Sequence, residues 1–439
     1  MMKYFSTKNK NRPFSFKEVV IKGLPDDNGL FMPETFPKYD SDFFESLSEK
    51  SIDQIATEVI YPFVKEDIPE NVLRDICENA FNFKVPLTEV KPSFYSMELY
   101  HGPTLAFKDF GARFMAGCMG FFASENDTEV NILAATSGDT GGAVAAGFYK
   151  TNGVKVTILY PKGKVSELQE RQLTTLGENI TAIEVDGTFD DCQKLVKKAF
   201  LDEELNKKIN LSSANSINVA RLLPQSVYYF YAWSRLKSDK NKIVFAVPSG
   251  NFGNITGGLF ARMMGLPIDN FIAATNVNKV VPDYLDQGEF LPRPSIQTVS
   301  NAMDVGNPSN FERLMAIFNK NWQLTRQIIK GYYYTDEETL DAISHVHQKY
   351  GYILDPHGAV GYKALSSYLN GRTNTTGILL ETAHPIKFAE HVEKSIGEKL
   401  KIPEEISDLY DKEILKIPMG KAYSEFKDYL LEKSGVKIK

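Results

Sequence analysis

His101-Gly102-Pro103-Thr104-Leu105-Ala106-Phe107-Lys108-Asp109-Phe110-Gly111 places one lysine just after a Gly-Pro turn, where a helical pattern begins. Phe107, Phe110, Phe114, Cys118 and Phe121 recur at helical spacing and would press one face into a core. Lys108 opens the adjacent, less crowded face together with Ala112. A lysine pinned there is partly desolvated, which disfavours the ammonium and frees the amine to attack a carbonyl. Standing alone, such a lysine is an ordinary solvated side chain in a first turn. Its meaning depends on what the rest of the chain brings to it.

Upstream, Phe94 to Leu99 alternates like a strand leading into the lysine. Downstream, strands and helices alternate. Val130 to Ala135 is a short apolar strand ending in Thr136-Ser137-Gly138-Asp139-Thr140-Gly141-Gly142, and a small-residue helix runs on from Ala143. Val154 to Tyr160 and Ile180 to Val185 read as strands, Val165 to Leu176 and Asp190 to Leu201 as helices. A second block begins near residue 215. There Ile243 to Val247 meets Pro248-Ser249-Gly250-Asn251-Phe252-Gly253-Asn254, followed by a helix from Ile255 to Met264. Phe271 to Thr275 and Gly377 to Glu381 are further strands, and Thr335 to Glu338 fits a capping box opening a helix through Lys349. Alternation of this kind predicts an α/β protein with mostly parallel sheets covered by helices. Three regions are expected: an N-terminal cap region over 1–93, a smaller α/β domain over 94–214 and a larger one over 215–439. The charged tail from Lys399 reads as a solvated helical flank.

Composition narrows the function. The chain has 439 residues, 43% hydrophobic and 24% charged, as in soluble multi-domain proteins. A net charge of -6 disfavours a nucleic-acid surface, so any anion site must be local. No apolar run spans a bilayer and the first ten residues carry no apolar secretory core, so a cytoplasmic protein is expected. The three cysteines, Cys77, Cys118 and Cys192, are scattered and odd in number, which suggests buried reduced thiols. His345 and His347 point apart on a helix, and His101, His357 and His384 stand alone, so each is expected as a packed or hydrogen-bonded ring and no metal is expected.

Two Gly-rich strand-to-helix turns remain, at Ser137 and at Gly250. A helix N-terminus exposes unpaired N–H groups, and glycines let the backbone close on a phosphate. Both turns fall at the carboxyl ends of strands, where open α/β sheets bind ligands. Two such turns and a poised lysine call for an anionic ligand carrying a carbonyl; pyridoxal 5'-phosphate has both groups.

Several stretches together resemble threonine synthases of the bacterial and fungal branch. They are the lysine stretch, Thr136-Ser-Gly-Asp-Thr-Gly141, Asn215-Ser-Ile-Asn-Val-Ala-Arg221, Pro248-Ser-Gly-Asn-Phe-Gly-Asn254, Asn301 to Asn310, Leu354-Asp-Pro-His-Gly358, Glu381-Thr-Ala-His-Pro385 and Gly29-Leu-Phe-Met-Pro33. The resemblance implies the fold type II architecture of pyridoxal-phosphate enzymes. It implies covalent attachment of the cofactor at Lys108, a phosphate cradle from Gly250, Asn251, Phe252, Gly253 and Asn254, and a Thr382 hydroxyl at the pyridine nitrogen. Ser137, Asp139 and Thr140 would lie near the ring hydroxyl and the substrate; the family often has Asn where this chain has Asp139. Asn215, Ser216 and Arg221 would hold the substrate phosphate. The implied reaction turns O-phosphohomoserine and water into threonine and phosphate, in a monomer or homodimer. Two other readings stay open: a serine or threonine dehydratase, for which a phosphate-binding Arg221 would be pointless, and a non-catalytic relative that only binds cofactor or a phosphorylated ligand.

Overall fold

The computed structural model describes residues 2–126, 129–236 and 242–434. Its strands are β1 (Tyr4–Ser6), β2 (Phe31–Pro33), β3 (Leu87–Lys91), β4 (Phe94–Glu98), β5 (Val130–Ala135), β6 (Val154–Pro161), β7 (Ile180–Val185), β8 (Leu211–Ser213), β9 (Lys242–Pro248), β10 (Asn270–Thr275), β11 (Ile329–Tyr333), β12 (Thr375–Glu381) and β13 (Ile417–Met419). They form a six-stranded sheet in the order β11-β10-β9-β12-β4-β3, a five-stranded sheet in the order β13-β7-β6-β5-β8, and the small pair β1-β2. Every pairing in the two large sheets is parallel except β3 with β4. The expected two open, mostly parallel sheets are therefore present. Strands β9 and β12 explain why the sheet is covered on both faces. Ile243 to Val247 and all of β12 are buried, so neither strand keeps a polar side for water.

The sheets cut across the expected division of the chain. Strand β4 pairs with β12 of the larger sheet, Gly377 opposite Phe94, although it leads directly into the lysine helix. In return the smaller sheet takes its outer strand, β13, from the C-terminal tail, with Met419 opposite Val185. The tail is thus not merely a solvated flank: in the helix Tyr423–Lys433, Phe426, Leu430 and Leu431 are buried in the core beneath the smaller sheet. A three-residue strand such as Ile417-Pro-Met is too short to show a periodicity, and only its partner β7 defines it. The N-terminal region packs its helices Ile52–Val64 and Glu70–Ala80 on Val227–Leu236 and on the lysine helix Lys108–Asn126.

Most expected elements lie within a few residues of their observed ends. The main shift is the helix expected from Ala143, which begins at Asp139 and runs to Phe148. Gly141 and Gly142 look like loop residues but pack inside this helix. A Cβ on Gly141 would lie 2.5 Å from Thr136 Cγ2 and 2.6 Å from Leu173 Cδ2. Thr136 Oγ1 accepts the N–H groups of Gly138 and Gly141 and so caps the first turn.

Candidate active site

The lysine helix begins at Lys108 itself. Thr104 anchors its start: its backbone N–H and its hydroxyl donate to the two oxygens of Asp109, at 2.9 and 2.6 Å. Leu105 is held at φ +56°, a left-handed conformation that is uncommon for a branched side chain. That turn swings Ala106 into an antiparallel bridge with Ala383, flanked by Phe107 N–H to the Thr382 carbonyl at 3.0 Å and His384 N–H to the Leu105 carbonyl. The backbone of Thr382 is thereby tied to that of the residue before Lys108. Phe110, Phe114 and Cys118 are fully buried beneath the helix, whereas Phe107, just before it, faces the cavity.

The carboxyl ends of β5, β8, β9 and β12 converge on a cavity of about 530 Å³. Lys108, Ser137, Thr140, Asn215, Ser216, Arg221, Gly250, Asn251, Phe252, Gly253, Asn254 and Thr382 all line it. Asp139 alone among the expected site residues is not in the lining. Its carboxylate turns behind the turn: Oδ1 accepts Lys387 Nζ at 2.8 Å and Gln169 Nε2 at 3.0 Å, and Oδ2 lies 3.9 Å from Lys108 Nζ. Burial pushes the Lys108 amine down to about 8; Asp139 opposes that shift, while Lys387 and Arg221 reinforce it. Burial would raise the Asp139 carboxyl, but Lys387 and Lys108 hold it below the usual carboxylate range.

The second Gly-rich turn joins β9 to the helix Gly253–Met263. Phe252 sits in the left-handed region at φ +60°. Gly250 passes so close to the 302–303 backbone that a Cβ would lie 2.7 Å from the Ala302 carbonyl. The first N–H groups of a helix have no partner within it. Asn254 Oδ1 accepts the hydroxyls of Tyr228 and Tyr229, at 2.6 and 2.9 Å, which leaves its Nδ2 buried without a partner. Asn215 Oδ1 is likewise buried and unpartnered. Arg221 donates from Nη1 to the Ala214 carbonyl at 2.6 Å and from Nη2 to the Lys108 carbonyl at 3.4 Å, with Nε unpartnered. Gly111 of the lysine stretch exists for this contact: a Cβ there would lie 2.7 Å from the Arg221 carbonyl. Burial pushes the guanidinium down to about 10, still cationic at neutral pH.

These observations test whether pyridoxal phosphate fits the residues present. Unpaired N–H groups at a helix start, an unpartnered buried amide on Asn254, an amine and the Thr382 residue share one cavity, and that donor set suits a phosphorylated aldehyde.

Three contributors escaped the sequence reading. Arg313 is fully buried and donates to the carbonyls of Phe31, Ser216 and Ile217 and to Asn310 Oδ1. It ties the N-terminal region to the Asn215–Ile217 loop. Its signal was weak, one basic residue in the short helix Phe311–Ile317. Lys387 follows Glu381 to Pro385 at once, and the apolar Ile386 and Phe388 around it are the only hint that it is buried. His357 does hydrogen-bond Asp355, as expected of a packed ring, and accepts Ala302 N–H on Nε2 at 3.2 Å; it also lines the cavity beside Asp304, whose carboxyl burial pushes up to about 6.

Comparison with known proteins agrees with this geometry. The family described as "Pyridoxal-phosphate dependent enzyme" matches residues 84–379, "Threonine synthase N terminus" residues 3–81 and "Threonine synthase, C-terminal" residues 358–429. A threonine synthase of Haemophilus influenzae is 42% identical, covering 98% of this chain and all of that one. The crystal structure of pyridoxal-phosphate-bound threonine synthase from Brucella melitensis superposes with a TM-score of 0.93 at 34% identity, covering 99% of this chain and 100% of that one. The Escherichia coli threonine synthase structure gives 0.91 at 42% identity, covering 98% and 100%. Matched along nearly its whole length by these family models, relatives and structures, the chain belongs to the threonine synthase family.

Proposed function

We propose that this chain converts O-phospho-L-homoserine and water to L-threonine and phosphate, using pyridoxal 5'-phosphate held at Lys108. The observation that carries the reading is one cavity lined by the Lys108 amine, the N-terminus of Gly253–Met263, and Arg221 with Asn215 and Ser216. Those are more anion-binding donors than one cofactor phosphate needs. A dehydratase acting on a substrate without phosphate would have no use for the surplus.

When bound, the cofactor supplies an electron sink for negative charge at the substrate Cα. The protein's own groups do the rest. Gly250, Asn251, Phe252, Gly253 and Asn254 would hold the cofactor phosphate through backbone N–H groups and the free Asn254 amide. The Thr382 hydroxyl would meet the ring nitrogen as a neutral partner. Arg221, Asn215 and Ser216 would hold the substrate phosphate; a guanidinium suits that task because its donors form a planar fork. Lys108 Nζ, which lines the cavity, would take the proton from the substrate Cα. An amine lowered to about 8 still carries its proton in most molecules at neutral pH, but its neutral, basic fraction is far larger than that of an ordinary lysine. A second proton would leave Cβ, phosphate would depart from Cγ, Cγ would take up a proton to become the methyl group, the hydroxyl of water would add at Cβ, and a proton would return to Cα. Ser137 and Thr140 line the same space and would orient the reacting carbons.

Phosphate release from O-phosphohomoserine by wild type and Lys108→Ala tests the reading. Wild type should turn over and the variant should not; equal turnover removes the role given to Lys108. Borohydride reduction of the yellow protein should fix the label on the peptide bearing residue 108.

A further inference from the structure

Behind the cavity lies a lysine that is not part of its lining. The Lys387 side chain is wholly buried, and its three donors are all used. They go to Asp139 Oδ1 at 2.8 Å, to the Thr104 carbonyl at 2.8 Å and to Gln172 Oε1 at 3.2 Å. Gln172 in turn donates to the same Thr104 carbonyl at 3.1 Å. Thr104 is the residue that anchors the start of the lysine helix through Asp109. Asp139 presents its other oxygen to Lys108 Nζ at 3.9 Å.

A buried carboxylate at that distance, left to itself, would hold Lys108 as an ammonium, because an opposite charge within about 4–6 Å raises a lysine's proton affinity by about 1–3 pH units. An ammonium cannot act as a nucleophile or a base. We propose that Lys387 is a positioning residue: it gives Asp139 a cation of its own, so that Lys108 beside the same carboxylate remains available as the free amine. The carboxylate then orients Lys108 without capturing its proton. Other titratable groups stand on the elements packed around Lys108. Arg221 touches the Lys108 carbonyl, Asp109 follows it in the helix, and His357 and Asp304 line the same cavity. Arg221 adds to the effect of Lys387, but it is reserved for the substrate phosphate. Lys387 is the cation bonded directly to Asp139.

This inference rests on the reading of Lys108 as the reacting amine, and its test needs no substrate. The full chain, stripped of cofactor, is labelled with trinitrobenzenesulfonate across a pH series, and labelling of the Lys108 peptide is followed by mass spectrometry. In Lys387→Met the labelling midpoint should rise by about one pH unit or more. In Asp139→Asn it should fall, and in the double variant it should return toward wild type. The acid limb of the phosphate-release profile should move in the same direction. A folded Lys387→Met with the wild-type midpoint overturns the proposal. If Lys387→Met does not fold, Lys387→Gln decides: it keeps a donor for Asp139 without the charge, its midpoint must still rise, and a wild-type midpoint overturns the proposal. A wild-type protein that releases no phosphate would remove the functional reading and leave the labelling shifts standing.

Discussion

Glu381 Oε1 accepts the Asp355 backbone N–H at 3.1 Å while the rest of the Glu381 carboxyl lies against the Gly358 α-carbon, where a Cβ would overlap it. Both acids are fully buried, directly behind Thr382. Asp355 spends its oxygens on the N–H groups of His357 and Gly358 and on the His357 ring. Glu381 Oε2 has no partner. Burial, helped by repulsion from Asp355, pushes the Glu381 carboxyl well above the usual range, so it folds as the neutral acid. A folded-state value above the unfolded one means that its contribution is complete below about pH 4.3 and is lost as pH rises toward the folded value. Glu381→Gln fixes the neutral form. Urea unfolding from pH 4 to pH 8 should show wild type losing stability relative to the variant; a gap that stays constant with pH would refute this.

Arg313 is the second structural prediction. Its guanidinium serves three carbonyls and Asn310 Oδ1 in a dry site, and burial pushes it down to about 9. Arg313→Ala would strand all four acceptors, so chemical denaturation should show a loss of about 3 kcal/mol or more. Because Ser216 and Ile217 are among the acceptors, KM for the phosphorylated substrate should rise as well. A loss below about 1 kcal/mol would mean that water replaces the guanidinium at little cost.

The lysine stretch, both Gly-rich turns and the alternation of strands and helices were legible because each rests on a local rule: helical period, turn chemistry, or an apolar run at a strand. Sheet membership was not. Nothing local to Phe94–Glu98 says that β4 pairs with β12, almost three hundred residues away, and Ile417–Met419 is a strand only because β7 is beside it. Thr382 could be assigned from resemblance, but its tie to Phe107 is a tertiary bond. The same holds for the orientation of Asp139. Its position on the turn was readable, yet whether it faced the cavity depended on Lys387, from the far end of the chain. Arg313 and Lys387 are single charges in short elements, and burial alone separates them from surface residues.

The cysteines offer a test of compartment-independent chemistry. Cys77, Cys118 and Cys192 are free and buried. Burial pushes the Cys77 and Cys192 thiols up to about 12 and also raises the Cys118 thiol well above its ordinary value. The thiolate is the reactive form, so at pH 8 the native protein should give almost no colour with Ellman's reagent, and all three should react in guanidinium. Rapid reaction of any one in the native protein would show local opening of its helix.

Arg221 is where the substrate reading is most exposed. Its guanidinium is braced by two carbonyls, and its Nε lies buried and unpartnered in a residue that lines the cavity. Lysine at this position keeps the charge but loses the planar fork. A charge-assisted hydrogen bond contributes about 1.5–3 kcal/mol, so Arg221→Lys should raise KM for O-phosphohomoserine by about 10- to 100-fold. The change in kcat should be smaller, since Lys108 and the 250–254 turn are untouched. Inhibition by inorganic phosphate should weaken in parallel, because it would compete for the same fork. If kcat falls while KM and phosphate inhibition hold at wild-type values, Arg221 serves the lysine helix through the Lys108 carbonyl, and the substrate phosphate must be held elsewhere.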